Sequence, residues 1–278
     1  MIDVLLAAYR PDRHFLDAQI ASIRAQEGVS VNLVVREDVE GVGACGNFAK
    51  LLDESDAEYV AFSDQDDVWR KDKLARSMEK MRELERQYGK DAPLLVFTDA
   101  TVVDADLNEL SPSLFKWTKI DPTRTKPEHL ALQNVANGNT MLFNAALREK
   151  ARPIPGDAFM HDHWIMLVAS VFGHVGYVPE PTVLYRQHGR NVIGGAKVGI
   201  EYFARKMLDG RTALRKRLYE NVHQCRAFVE RYGESSPPAL RALASIEDKP
   251  WAFRVATLIR HRIFKFGLLR NLGTWLLI

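Results

Sequence analysis

Alternating strand-like and helix-like segments predict an α/β protein with a Rossmann-like, mostly parallel central sheet and helices on both faces. Three observations carry this. Apolar runs of strand length stand at residues 4–8, 31–35, 59–62 and 94–97. Between them, apolar residues recur every three to four positions, as on one face of a helix. Each run ends in polar or acidic residues, and in such sheets ligands gather beyond the carboxyl ends of the strands.

The first run leads through Tyr9, Arg10 and Pro11 into a helix marked by Leu16, Ile20 and Ile23. The second ends in Arg36, Glu37 and Asp38, followed by a glycine-bearing loop and a helix over 47–54. The third delivers Asp64, Gln65, Asp66 and Asp67. Leu74, Met78, Met81, Leu84 and Tyr88 then mark one face of a long helix. The fourth run is expected to end at Thr98 and Asp99, which places Asp99 with Tyr9, Glu37, Asp38, Asp64 and Asp66 at the ligand edge. After a turn at Asn137-Gly138, residues 139–144 read as a strand. Residues 165–172 read as a buried helix entered through His161-Asp162-His163-Trp164, and 175–178 and 183–186 as two short strands. From about residue 199 the pattern is helical and basic, with Ser235-Ser236-Pro237-Pro238 as its best break. The expected organisation is a unit over 1–198 and a helical extension over 199–278.

Charge is unevenly placed. Residues 1–199 carry 23 Lys+Arg against 29 Asp+Glu, and residues 200–278 carry 15 against 7. A basic tail on an acidic body implies an anionic partner for the tail. From residue 249 onward its cations are interleaved with aromatic and aliphatic side chains, which suits a membrane surface better than a base-stacking platform, so nucleic acid is not expected. Packing of these helices on the body or on a second subunit is the alternative. Its charge-free runs fall far short of the ~20 residues needed to span a bilayer. Cys45 and Cys225 have no metal-type spacing and are expected as free thiols. The opening residues lack a basic leader and read as a strand, which makes the cytoplasm the expected compartment.

Three carboxylates within four positions, Asp64 to Asp67, repel one another unless solvated or neutralised by a hard cation such as Mg²⁺ or Mn²⁺. Gly41-Val42-Gly43-Ala44-Cys45-Gly46 matches GxGxxG, but its first glycine lies six residues after Val35, too far to set a pyrophosphate on a helix start directly off the strand. Asp64-Gln65-Asp66-Asp67-Val68 also fits the DxDxV pattern of haloacid-dehalogenase-type phosphatases, although two strand–helix units precede it here. A metal-dependent phosphatase is therefore one alternative. Asp162, just before an apolar helix, reads either as an N-cap or as a carboxylate able to accept a proton from a substrate hydroxyl. His188, between Arg186 and Arg190, belongs to a loop offering charge-assisted donors to phosphate oxygens.

Taken together, these segments resemble a family-2 glycosyltransferase of the GT-A fold, particularly its bacterial rhamnosyltransferase-like branch. The resemblance rests on Leu5-Leu6-Ala7-Ala8-Tyr9, Arg36-Glu37-Asp38, Gly46-Asn47-Phe48, Phe62 to Trp69 with Lys73-Leu74, Asn137-Gly138-Asn139-Thr140-Met141, His161-Asp162-His163-Trp164, and Tyr185 to Gly194. It implies a nucleotide-sugar donor held by Ala8, Tyr9, Arg10, Glu37, Asp38, Asn47, Asp64, Gln65, Arg186, His188 and Arg190. A Mn²⁺ or Mg²⁺ ion would sit on Asp66, Asp64 and His188, and Asp162 would be the general base. Trp69, Asn137, Gly138, Asn139, His161 and Trp164 would meet the acceptor. The implied activity is inverting transfer of L-rhamnose from dTDP-L-rhamnose to a hydroxyl of a lipopolysaccharide O-antigen, another cell-surface glycan or a lipid-linked acceptor. The implied place is the inner face of a bacterial membrane, reached peripherally through residues 249–278, with a homo-oligomer left open. A non-catalytic nucleotide or glycan binder is the remaining alternative.

Overall fold

A computed structural model describes residues 1–187 and 210–278. The first half alternates as expected: β1 (Ile2–Ala8), α1 (Arg13–Arg24), β2 (Val31–Glu37), α2 (Gly43–Glu54), β3 (Tyr59–Ser63), the short β4 (Val68–Trp69), α3 (Lys73–Tyr88) and β5 (Leu94–Val103). It continues through β6 (Glu109–Ser111), α4 (Leu114–Thr118), α5 (Pro127–Leu130), β7 (Met141–Asn144), α6 (Ala145–Ala151), α7 (His161–Phe172) and β8 (His174–Arg186). The C-terminal part is helical: α8 (Arg211–Tyr232), α9 (Pro238–Ala244), α10 (Trp251–Arg260) and α11 (Leu268–Leu277).

The strands lie in the order β2-β1-β3-β7-β5-β8-β4, with β6 on β5. The long pairings β2/β1, β1/β3 and β5/β8 are parallel, while β7 runs antiparallel between β3 and β5. Side chains alternate across the sheet, as the pleat requires. Leu5, Val60, Phe62, Leu95 and Phe97 join the core under α2 and α7, and Val4, Leu6, Ala61, Leu94 and Val96 join the core under α1 and α3. Asp12 caps α1 by accepting from the His14 amide at 3.0 Å.

Two expectations change at β5 and β8. The run at 94–97 does not stop at Asp99 but continues to Val103, and the two short strands at 175–178 and 183–186 are one strand. Pro179 and Pro181 hide this continuity, because proline lacks the amide that a ladder uses. The pair absorbs them in register shifts around Thr98, Asp99 and Ala100. Asp99 consequently sits inside the structure, where its carboxylate accepts from the amides of Ala100 (2.8 Å) and Leu114 (3.1 Å) and seats the start of α4. It is not at the ligand edge.

The helical extension shares the body's core. Leu218, Val222 and Phe228 of α8 pack there, with the Phe228 ring 5.7 Å from that of Trp164 and 6.0 Å from that of Phe172. The break at 235–238 falls as expected, between a short 3₁₀ turn at Gly233–Ser235 and α9.

Helix α7 passes into β8 across Gly173 alone, with the His174 amide donating to the Pro93 carbonyl at 2.9 Å. A Cβ at Gly173 would lie 1.8 Å from that carbonyl oxygen. Gly173→Ala is therefore expected to cost at least ~3 kcal/mol, read as a lowered denaturation midpoint in urea, whereas Gly156→Ala, with open space around it, is expected to be nearly neutral.

Candidate active site

The acidic loop leaves β3 pinned from several sides. Gln65 reaches back to the end of β1, its Oε1 accepting from the Tyr9 amide at 2.7 Å and its Nε2 donating to the Tyr9 carbonyl at 3.3 Å. Asp67 is fully buried, accepting from the Arg186 amide at 3.0 Å and from Asn139 Nδ2. The Arg186 side chain donates from Nε to the Asp66 carbonyl at 2.7 Å and from Nη1 to the Ala105 carbonyl, and its guanidinium lies 4.2 Å from the Phe15 ring centroid. The end of β8 thus clamps the loop that β3 delivers.

Crowding shows in the protonation of these groups. Burial, then the charges of Asp66 and Asp162, push Asp64 up to about 8. Burial, then Asp66 and Asp64, raise Asp67 well above the ordinary carboxylate range. Asp162, on the first turn of α7, is pushed up to about 6 by burial, against the pull of the amides of His163 (2.6 Å) and Gly138 (3.2 Å) that it accepts from. Asp162 is not the N-cap; that position is Met160. Behind it His161 is buried, stacked on Phe48 at 3.8 Å and held neutral by burial at about 3. A Cβ on Gly138 would come 2.9 Å from His161 Nε2, so only glycine lets this loop close on Asp162.

The other residues named from the sequence divide into rim and frame. Tyr9 and Arg10 are exposed beside each other, the Arg10 guanidinium 5.2 Å from the Tyr9 ring centroid, and Glu37 pairs with Arg13 at 3.4 Å on the same edge. Asp38 accepts from the amides of Gly41 (2.8 Å), Val42 (3.1 Å) and Gly43 (2.8 Å). Burial opposes its charge, yet those amides outweigh it and hold the carboxyl below its ordinary value. The first three amides of GxGxxG are thus filled by the chain's own carboxylate, which leaves Asp38 little acceptor capacity for a ligand. That glycine run also belongs to α2, which starts at Gly43 rather than 47. Ala8 is buried and its carbonyl accepts from the Asp38 amide at 2.7 Å. Asn47 Nδ2 reaches the carbonyls of Ala8 (3.4 Å) and Arg36 (3.1 Å), joining the ends of β1 and β2.

Several expected contacts are corrected. Arg186 is buried and turned onto backbone carbonyls, so it braces the acidic loop instead of facing phosphate. Trp69 lies in the core with Lys73 Nζ 3.9 Å from its ring centroid, and Trp164 is fully buried with its Nε1 donating to the Ala151 carbonyl. Neither can meet an acceptor. Asn139 is committed to Asp67, and His161 and Gly138 are buried, which leaves Asn137 as the partly exposed residue of that set near Asp162. His188 and Arg190 lie outside the described residues. Asn139 and the Arg186 amide as partners of Asp67 were invisible in sequence, since nothing in the spacing links positions 67, 139 and 186.

Among the described residues no group of three or more His, Cys, Asp or Glu side chains is gathered as a metal cage. The donor chemistry nevertheless fits a hard cation. Mg²⁺ and Mn²⁺ prefer oxygen, and Mg²⁺ commonly takes only one or two carboxylates, filling its remaining positions with water and phosphate. The raised Asp64 carboxyl marks a place where positive charge would be welcome.

No family model matches the chain. A curated relative, the dTDP-rhamnosyl transferase RfbG of Shigella flexneri, is 26% identical over 164 residues, covering 55% of this chain. The chain spans about half the length of that relative, the match covering 52% of it. Among solved structures it is similar to S. aureus TarS 1-349 in complex with UDP-GlcNAc, with a TM-score of 0.53 and 12% identity over 99% of this chain and 89% of that one. It is also similar to the mannosyltransferase PcManGT from Pyrobaculum calidifontis in complex with GDP-Man and Mn²⁺, with a TM-score of 0.50 and 15% identity over 94% and 86% of the two chains. The fold is that of the GT-A glycosyltransferases.

The protonation of Asp64 has a consequence for stability. Its folded value of about 8 stands above the ordinary 3.8, so the folded state binds more protons in between and is progressively disfavoured as pH rises through that window. Asp64→Asn in the presence of chelator is expected to raise Tm by a few degrees at about pH 8.5 and to leave it unchanged near pH 3. An equal shift at both pH values would contradict the crowding.

Proposed function

We propose that this chain is an inverting glycosyltransferase that moves a sugar from a nucleotide-sugar donor to an acceptor hydroxyl, with Asp162 as general base. The observation that carries this is the Asp162 carboxylate, held on the first turn of α7 by the Gly138 amide and near enough to Asp64 for its charge to raise that carboxyl, which sets a candidate base beside a candidate charge sink. The names of the similar proteins support the reaction class. For the donor, dTDP-L-rhamnose is favoured by the 26% identity to a dTDP-rhamnosyl transferase. The proposed acceptor is a cell-surface glycan, such as an O-antigen, or a lipid-linked precursor.

The chain's own groups account for both halves of a single displacement. With its carboxyl at about 6, Asp162 is mostly ionised at neutral pH and basic enough to take the acceptor's proton as oxygen attacks the anomeric carbon. The Gly138 amide holds that carboxylate toward the loop of Asn137. On the opposite side Asp66 and Asp64 would hold the divalent cation, whose positive charge would stabilise the departing diphosphate. Tyr9, Arg10 and Glu37 form the rim proposed for the base and ribose. In this reading residues 1–198 are the catalytic unit and 199–278 an extension, acting at the inner face of a membrane. No helix among the described residues is long and apolar enough to cross one.

Asp162→Asn is expected to lower transfer by ~10²–10⁴-fold while donor affinity stays within about twofold, measured by product formation and calorimetry. The wild-type rate is expected to rise with pH to a plateau, with its inflection near 6. Full turnover by Asp162→Asn would overturn its assignment as base. In a thermal-shift screen of nucleotide sugars, the cognate donor is expected to raise Tm only when Mn²⁺ or Mg²⁺ is present, and Asp66→Ala to remove that dependence together with the shift. Undiminished metal-dependent binding by Asp66→Ala would exclude it as a ligand of the cation.

A further inference from the structure

The last two helices reverse the ordinary pattern of a water-soluble surface. On α10, Trp251, Phe253 and Ile259 are 56%, 66% and 51% exposed, and on α11 Leu268, Leu272 and Leu276 are 72%, 41% and 62% exposed. Surface helices normally turn charge outward and apolar residues inward. Here each helix already has a packed side, since Leu258 and Leu277 are buried in the body's core. The exposed apolar residues are therefore a second hydrophobic side, not a core face left over.

The pair is held with that second side outward. Trp251 Nε1 donates to the Trp275 carbonyl at 2.8 Å, joining the start of α10 to the end of α11. Arg254 donates to the carbonyls of Lys249 (2.6 Å) and Glu247 (2.7 Å) and to the Tyr219 hydroxyl (2.7 Å). Arg270 donates to the carbonyls of Thr118 (2.5 Å) and Lys119 (2.7 Å) on the body. Those two cations anchor the helices, while Arg260 at the end of α10 and Arg262 in the connection to α11 are exposed. From residue 249 to the end there is no Asp or Glu.

We propose that the α10–α11 face docks on a lipid surface bearing anionic headgroups, with its aromatic and aliphatic side chains inserted at the acyl boundary and Arg260 and Arg262 at headgroup level. Ten-residue helices rise only ~15 Å, half the hydrocarbon thickness, so they lie in the interface and do not span it. Charge decides between this surface and a second copy of the chain. In a two-fold pair the same patch meets itself, so both copies bring Arg260 and Arg262 to the interface with no acid in the segment to pair them. Anionic headgroups supply the missing charge.

The test uses the full chain without donor or acceptor, so its outcome is independent of the transfer reaction. Co-sedimentation is measured with vesicles of phosphatidylcholine alone and with vesicles containing equal phosphatidylglycerol, at low and high salt. Binding to the anionic vesicles is expected to exceed that to neutral ones by about tenfold or more and to weaken with salt. The Phe253→Ser/Leu268→Ser/Leu272→Ser/Leu276→Ser variant is expected to lose binding to both vesicle types. Arg260→Ala/Arg262→Ala is expected to lose the anionic preference, with the circular dichroism spectrum and Tm of the wild type retained. The double arginine variant and the salt dependence keep the test decisive if the quadruple variant folds poorly. Absence of vesicle binding, equal binding to both vesicle types, or self-association in sedimentation velocity that the apolar variant abolishes would each overturn the proposal.

Discussion

Like charges held close together and partly out of water are the constraint around which this sheet edge is built. A carboxylate in that position can be satisfied by hydrogen-bond donors, by keeping its proton, or by a cation. Asp67 combines the first two, accepting from Asn139 and the Arg186 amide while burial and the charges of Asp66 and Asp64 still raise its carboxyl. Asp64 is driven toward the second, with its carboxyl at about 8. The third course is what a metal-assisted transferase would use, and it would turn a destabilising cluster into a binding site.

The fold brings these groups together from distant parts of the chain. Strand β3 delivers the acids, β8 returns antiparallel to β4 and clamps them through Arg186, and the 3₁₀ turn before β7 carries both Asn139 and the Gly138 amide. Helix α7 then presents Asp162 within electrostatic reach of Asp64. The mixed part of the sheet places this set, since β7 lies between two parallel groups and brings its preceding turn to the strand ends.

Much of this was legible in the sequence. Apolar runs located β1, β2, β3 and the start of β5, and period-3.6 spacing located α1 and α3, because each of these elements has one continuous face to bury. The place of Asp162 at the start of α7 was likewise visible. What escaped were features that depend on partners across the fold. Pro179 and Pro181 suggested a gap in β8 that the β5 bulge bridges. Asp99 looked like a strand-end acid but serves the start of α4. Trp69, Trp164 and Arg186 stand within motifs that imply ligand contact, although a motif records proximity in sequence and not the direction of a side chain. The basic, aromatic composition of the tail suits either packing or a membrane surface. Its helices show one packed side and one exposed apolar side, so composition alone could not have separated the two.

The closure of Asp67 by Asn139 and Arg186 also bears on how the sequence can drift. A buried carboxylate, its amide donor and the strand end that fixes both come from positions 67, 139 and 186, in three separate stretches of the chain. Exchange at either side-chain position alone leaves a carboxyl or an amide without its partner in a place water does not reach. Positions 67 and 139 should thus substitute in concert across descendants of this chain, while exposed Tyr9 and Arg10 on the rim vary independently, so that the machinery of the site is inherited as a block and its edge is open to revision.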